Sequence, residues 1–289
     1  MTRRDDGVAG GRVAERVLGP VDEARAVLDA LAQQRACAVV VRLDGELTGA
    51  RLLIGDDGLP RGSLGDPDLD ERARAAALDA LRADAHEAEA IVVGTPAGDA
   101  RILVQVHRPP PELFIVGAGH ISLPLARMAR MAGFRVTVLD DREDFADAAR
   151  FGDDVRVLRM DPASPFSLAR PDARAWVVLV TRAHRFDYDC LRELLRAEPL
   201  PRYVGMIGSR RRVRAAFTAL LREGVARERL ARVRAPLGLD IGAETPEEIA
   251  VSVVAEMIAV RRAAVERDDA GAPLSAREGV LDRFFPEGT

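Results

Sequence analysis

The chain has 289 residues, 48% of them apolar and 30% charged, with a formal net charge of −4. That length suits two cores better than one, and the composition is that of a folded chain, not a disordered one. The slightly acidic balance excludes bulk attraction to nucleic acid or to an anionic membrane, and the absence of lysine excludes a Schiff-base or phosphate-loop lysine.

The first predicted element is a helix over residues 21–34, with Ala24, Val27, Leu28 and Leu31 on one face. Residues 37–43 read as a strand closed by the Asp44-Gly45 turn signal, and residues 51–54 as a second strand ending at Asp56-Asp57-Gly58. Asp66 is a helix cap with Pro67 in the first helical position, and the Ala- and Leu-rich helix runs over residues 66–83. Residues 91–93 and 102–106 read as a hairpin around Pro96-Ala97-Gly98-Asp99. Together they predict a small α+β domain over residues 1–108. Pro109-Pro110-Pro111 then ends it, because three prolines continue neither a helix nor a central strand and make a stiff spacer.

Beyond the prolines, strands alternate with helices. The strands fall at residues 113–116, 135–139, 176–180 and 203–207, and the helices at 123–132, 188–196, 213–223 and 245–262. Alternation of this kind predicts a parallel sheet covered on both faces. The fold class is therefore α/β: a Rossmann-like parallel sheet domain over residues 112–265, preceded by the smaller α+β domain. A charged, turn-rich tail over residues 266–289 follows, with Leu281, Phe284 and Phe285 as its docking residues.

Four motifs carry chemistry. In the first, an apolar strand runs into Gly117-Ala118-Gly119-His120-Ile121-Ser122 and then into a helix. Gly117 permits the tight turn, Gly119 lets backbone approach a phosphate, and the helix start offers unpaired N–H groups. Asp140 follows Gly117 by 23 positions at the end of the next strand, where an acid accepts from a ribose or another vicinal diol; Asp141 stands beside it. In the second motif, Arg182 and His184 follow the strand at 176–180 and so face the same crevice as Gly117, unless they are only solvated loop residues. In the third, Gly208, Ser209 and Arg210 follow the strand at 203–207, where amides, a hydroxyl and a guanidinium suit an anion. Three arginines at a helix start oppose its dipole, a local cost that an anion would offset. The fourth is the loop holding Asp240 and Glu244, which serve a polar ligand or neighbouring arginines; it ends in the capping box Thr245-Pro246-Glu247-Glu248.

No Ser–His–Asp order and no interpretable carboxylate pair occurs, so no catalytic residue is assigned. Cys37 and Cys190 have no CxxC spacing and are expected in cores. His86, His107, His120 and His184 lack metal-ligand spacing, so no metal site is expected. The first residues lack a signal-peptide core and no apolar run reaches membrane-spanning length, which makes the cytoplasm the expected location.

The runs FIVGAGHISLPLARMARMAGFRVTVLDDREDFA, VLVTRAHRFDYDCL, YVGMIGSRRR and APLGLDIGAETPEEIAVSVVAEMIAVRR resemble the XdhC/CoxI family, accessory factors of xanthine dehydrogenase and related molybdenum hydroxylases. The resemblance covers the whole second domain. It implies a Rossmann domain that binds molybdenum cofactor (molybdopterin), holds it for sulfuration with a cysteine desulfurase, and delivers it to a molybdenum hydroxylase such as xanthine dehydrogenase. It further implies a homodimer, and a maturation chaperone more than a catalyst. Gly117, Gly119, His120, Asp140, Asp141, Arg182, His184, Gly208, Ser209, Arg210, Asp240 and Glu244 match its motifs.

The N-terminal domain departs from the family. A Gly-Gly-Cys-x-Glu segment is replaced by the stretch from Arg61 to Glu71, which keeps Gly62 and Ser63 but no cysteine; a Cys-Gly-Gly segment is replaced by the turn from Gly94 to Asp99. Two other readings stay open: an NAD(P)-dependent oxidoreductase with His184 as proton donor, and a non-catalytic module that binds the target dehydrogenase.

Overall fold

The computed structural model describes residues 18–83, 88–96, 98–182 and 184–262. The expectations for the first residues, His86, Ala97 and the tail at 266–289 lie outside these. The chain divides into two compact units, Met1–Pro109 and Pro110–Thr289.

The first unit holds α1 (Pro20–Ala32), β1 (Cys37–Arg42), β2 (Arg51–Gly55), β3 (Pro60–Gly62), α2 (Pro67–Arg82), β4 (Glu89–Thr95) and β5 (Gly98–His107). The strands form one antiparallel sheet in the order β3-β2-β1-β5-β4. The unbroken apolar run of β1 follows from helices on both faces. Ala38 and Val40 pack with Leu69, Ala73 and Ala77 of α2, while Cys37 and Val39 pack with Val27 and Ala30 of α1. The Asp66 carboxylate accepts the N–H groups of Asp68 at 2.8 Å and Leu69 at 3.2 Å, the cap that fixes the start of α2.

The buried face of α1 keeps Val27 and Leu31 of the expected one but is rotated away from the other two residues. Val27 and Ala30 are its buried residues, while Ala24 and Leu28 are exposed. Glu23 of α1 pairs with Arg51 of β2, and this contact turns the Glu23, Val27 and Ala30 side onto the sheet. The short edge strand β3 begins on a proline, which an edge tolerates but which hides a strand from sequence pattern.

The second unit holds β6 (Glu112–Val116), α3 (Ser122–Met131), β7 (Arg135–Asp140), α4 (Ala148–Phe151), β8 (Arg156–Arg159), β9 (Trp176–Leu179), α5 (His184–Arg196), β10 (Tyr203–Met206), α6 (Arg210–Arg222), α7 (Arg227–Leu230), β11 (Val233–Arg234) and α8 (Pro246–Arg261). Its strands are all parallel, in the order β11-β10-β9-β6-β7-β8. This is the doubly wound arrangement, in which the chain builds outward from β6 to β8, then crosses to β9 and builds outward the other way.

Alternate residues serve opposite faces. Leu113 and Ile115 of β6, with Trp176 and Val178 of β9, pack with α3 and α8. Phe114, Val116, Val177 and Leu179 pack with α5 and α6. Trp176 stacks on Tyr203 with centroids 4.9 Å apart and meets Phe134 edge-on at 5.5 Å, arrangements worth about 0.5–1.5 kcal/mol each beyond area burial.

Two helices begin earlier than expected. α5 starts at His184 and not near residue 188, and α6 at Arg210 and not near residue 213. Each early start comes from polar side chains tied inward: Asp187 bonds Thr181, and Ser209 caps α6. β8 and β11 escape the sequence pattern because they are short and arginine-bearing, without an apolar run to mark them. No helix among the described residues is long and apolar enough to cross a membrane.

Candidate functional site

In a doubly wound sheet the crevice opens beyond the carboxyl ends of the two strands where winding reverses, here β6 and β9. The β6–α3 turn, residues 117–121, lies at that point. Gly117 has φ +104°, and a Cβ on it would stand 2.6 Å from the carbonyl oxygen of Val180, so only glycine lets β6 leave this close to β9. Ser122, fully buried, donates its hydroxyl to the Gly117 carbonyl at 2.5 Å and closes the turn from the helix side.

Ala118, between the glycines, is fully engaged. Its N–H donates to Asp140 Oδ2 at 2.7 Å, and its carbonyl accepts from Arg150 Nη1 at 3.1 Å. The Ala118 amide is therefore committed to the fold. The N–H groups of Gly119, His120, Ile121 and Leu123 meet no acceptor among the described residues. A Cβ on Gly119 would meet no heavy atom within 4 Å, so the turn is open on that side. His120 is exposed beside it.

Asp140, 1% exposed, supports the turn from beneath. Its carboxylate accepts from Ala118 N–H, from Arg142 N–H at 2.9 Å, and from Arg142 Nε at 3.0 Å and Nη2 at 2.9 Å. Burial pushes its carboxyl up, but the hydrogen bonds from Arg142 and Ala118 and the Arg142 charge outweigh burial and hold it below the usual carboxylate range. Asp141 turns the other way. It takes a two-pronged contact from Arg182, at 2.6 and 2.8 Å, and the guanidinium lies 4.5 Å from the Phe186 ring centroid and 4.0 Å from Asp140 Oδ1.

The structure thus brings Gly117, Gly119, His120, Asp140, Asp141 and Arg182 to one sheet edge. His184 begins α5, and its side chain lies outside what is described. Ser209 Oγ accepts the Arg212 N–H at 3.4 Å as the α6 cap, with Gly208 before it and Arg210 exposed after it. Asp240 and Glu244 lie exposed on the loop between β11 and α8.

Sequence reasoning overlooks the residues that hold these loops in place. Arg212 points inward, pairing with fully buried Asp187 and donating to the Thr181 carbonyl at 2.8 Å and hydroxyl at 2.7 Å. It is hidden in a run of three arginines that look alike. Glu256, fully buried in an apolar helix, accepts from Tyr203 Oη at 2.7 Å and from Gly238 N–H at 2.8 Å, tying the β11–α8 loop to the core. One charge inside the apolar stretch of residues 249–260 is the available signal. Cys37 and Cys190 are buried core thiols, and burial pushes both pKa values up. No cluster of metal-ligating side chains occurs among the described residues.

A glycine turn at the winding reversal of a six-stranded parallel sheet defines a Rossmann-type domain, with open space beside Gly119 at its switch point. The particular family follows from comparison. The XdhC Rossmann domain model matches residues 113–257, and the chain belongs to that family. The chain is 35% identical over 176 residues to the Escherichia coli (strain K12) protein described as uncharacterized protein YqeB, covering 58% of this chain and 31% of that one. It is 32% identical over 165 residues to a Bacillus subtilis (strain 168) protein described as a probable xanthine dehydrogenase subunit, covering 56% of this chain and 46% of that one. The matches thus span less than half the length of these curated relatives. A solved structure described as a xanthine dehydrogenase from Bacillus halodurans is 20% identical, with a TM-score of 0.47, covering 87% of this chain and 98% of that one.

Proposed function

We propose that this chain is an accessory protein of a xanthine dehydrogenase-type molybdenum hydroxylase, and that it holds the phosphate of molybdenum cofactor at the β6–α3 turn. Family membership supports the accessory role, and the Bacillus subtilis relative's description as a probable xanthine dehydrogenase subunit supports the link to that enzyme class. The observations that carry the binding role are the open space beside Gly119 and the N–H groups of residues 119–121, which meet no acceptor among the described residues. That donor set fits a phosphate.

When bound, the cofactor supplies the molybdenum centre that a hydroxylase client uses. This chain's residues bind and orient it. Gly119 leaves room for the phosphate; His120, Arg182 and His184 stand at the mouth; Gly208, Ser209 and Arg210 flank it from the next loop. Asp141, Asp240 and Glu244 offer carboxylates toward the polar part of the ligand. Gly117 and Asp140 act through backbone shape. Both described cysteines are buried, so sulfuration would run through a partner's thiol, with a cysteine desulfurase as the fitting partner class. A homodimer working in the cytoplasm, with the folding units at residues 1–108 and 112–265, completes the reading.

The NAD(P)-dependent alternative is disfavoured by Asp140, whose carboxylate already accepts four protein N–H groups and has no capacity left for a ribose diol. The deciding experiment is thermal unfolding with added molybdopterin and, separately, NADH. A ligand at a hundred times its Kd stabilises by about 2.7 kcal/mol, so molybdopterin is expected to raise the Tm clearly and NADH not. A rise with NADH alone would overturn the reading.

A further inference from the structure

Arg182 follows β9, Asp141 follows β7, and β6 lies between those strands in the sheet. Their two-pronged ion pair therefore crosses above the end of β6, where the glycine turn leaves. Shared partners confirm the closeness: the guanidinium is 4.0 Å from Asp140 Oδ1, and Asp140 Oδ2 holds the Ala118 N–H at 2.7 Å. Charges at this mouth balance in pairs, Arg142 on Asp140 and Arg182 on Asp141. The pairs are not equivalent. Asp140 is buried and takes donors from the backbone as well as from Arg142, so that pair is built into the turn. The Arg182 side chain is 42% exposed, and its guanidinium lies 4.5 Å from the Phe186 ring centroid, so its fork is open to a competing anion from solvent.

We propose that Asp141 and Arg182 form a charge filter for the phosphate site, in which Asp141 occupies the Arg182 fork until a dianionic phosphomonoester replaces it. This rests on the phosphate-site reading above. A monoester dianion offers the fork two or more oxygens and more charge than a carboxylate, so it competes for Arg182. A phosphodiester carries one charge, matches the carboxylate it must displace, and gains little. The ligand class that passes is a compound ending in a terminal phosphate; a phosphate buried within a diester linkage is held back.

The probes are methyl phosphate, a dianion near neutrality, and dimethyl phosphate, a monoanion, titrated against the full chain at low ionic strength and followed by phosphorus NMR. Wild type is expected to favour methyl phosphate. Asp141→Asn, which frees Arg182, is expected to bind both probes about tenfold tighter and to narrow the preference; Arg182→Gln is expected to bind methyl phosphate at least about tenfold weaker, the worth of one charge-assisted contact. Gly119→Val separates the two readings. If it leaves methyl phosphate binding intact, the phosphate site itself is misplaced. If it abolishes binding while Asp141→Asn and Arg182→Gln behave as wild type, the filter is wrong and the site stands. Equal wild-type affinity for the two probes also overturns the filter.

Discussion

Gly117 and the Val180 carbonyl oxygen lie so close that a Cβ at position 117 would stand 2.6 Å from that oxygen. This approach of β6 to β9 sets the floor of the crevice at the winding reversal. Gly117 is thus a structural requirement, whereas Gly119, with open space before it, is where a ligand can enter. The two glycines of one motif do different work, and their variants should separate.

Gly117→Ala is expected to destabilise by about 3 kcal/mol or more, because the side chain meets backbone and φ +104° is strained for any residue with a Cβ. Chemical denaturation of the purified variant reads this directly. A midpoint equal to wild type would show that the turn relaxes freely and that the floor is not fixed by this contact.

Asp140 makes stability depend on acid. Its carboxyl is held below the usual range in the folded state, so its contribution is complete above the unfolded pKa of about 3.9 and is lost as pH falls through the lower folded value. Asp140→Asn is expected to lose about 1–3 kcal/mol at neutral pH, since Arg142 and the Ala118 amide lose a charged acceptor. The gap between variant and wild type should close in strong acid. Melting curves from neutral to strongly acidic buffer check this, and a constant gap would contradict it.

Arg212 neutralises Asp187 in a fully buried position and bonds Thr181 at the end of β9, so it anchors α6 and α5 to the sheet. Arg212→Met is expected to cost about 3–5 kcal/mol by removing the guanidinium that neutralises a buried carboxylate. The double variant Arg212→Met with Asp187→Leu should recover much of that loss. Urea unfolding of the single and double variants tests it; equal losses in both would show that the charge is not what matters.

The alternating layers of the second unit are legible in the residues alone, because buried parallel strands such as Leu113-Phe114-Ile115-Val116 and Trp176-Val177-Val178-Leu179 are apolar on both faces. The glycine turn is legible for the same reason: Gly-x-Gly after such a strand has one common geometry. Side-chain direction is not. Arg210, Arg211 and Arg212 are identical in sequence, yet only helix phase turns Arg212 inward to Asp187. Asp140 and Asp141 are adjacent acids, but strand alternation sends one beneath the turn and the other to Arg182. On α1, Val27 and Leu31 of the expected stripe pack on the core, while Ala24 and Leu28 give way to Ala30, because a cross-element pair, Glu23 with Arg51, sets the helix rotation.

The most direct test of the central claim compares wild type with Gly119→Val, both purified from a molybdenum-replete host and assayed for bound molybdopterin and for Tm. The open space at Gly119 predicts an unchanged fold, with molybdopterin retained by wild type and lost from the variant. Equal retention by both proteins, or none by wild type, would contradict a phosphate seated at this turn.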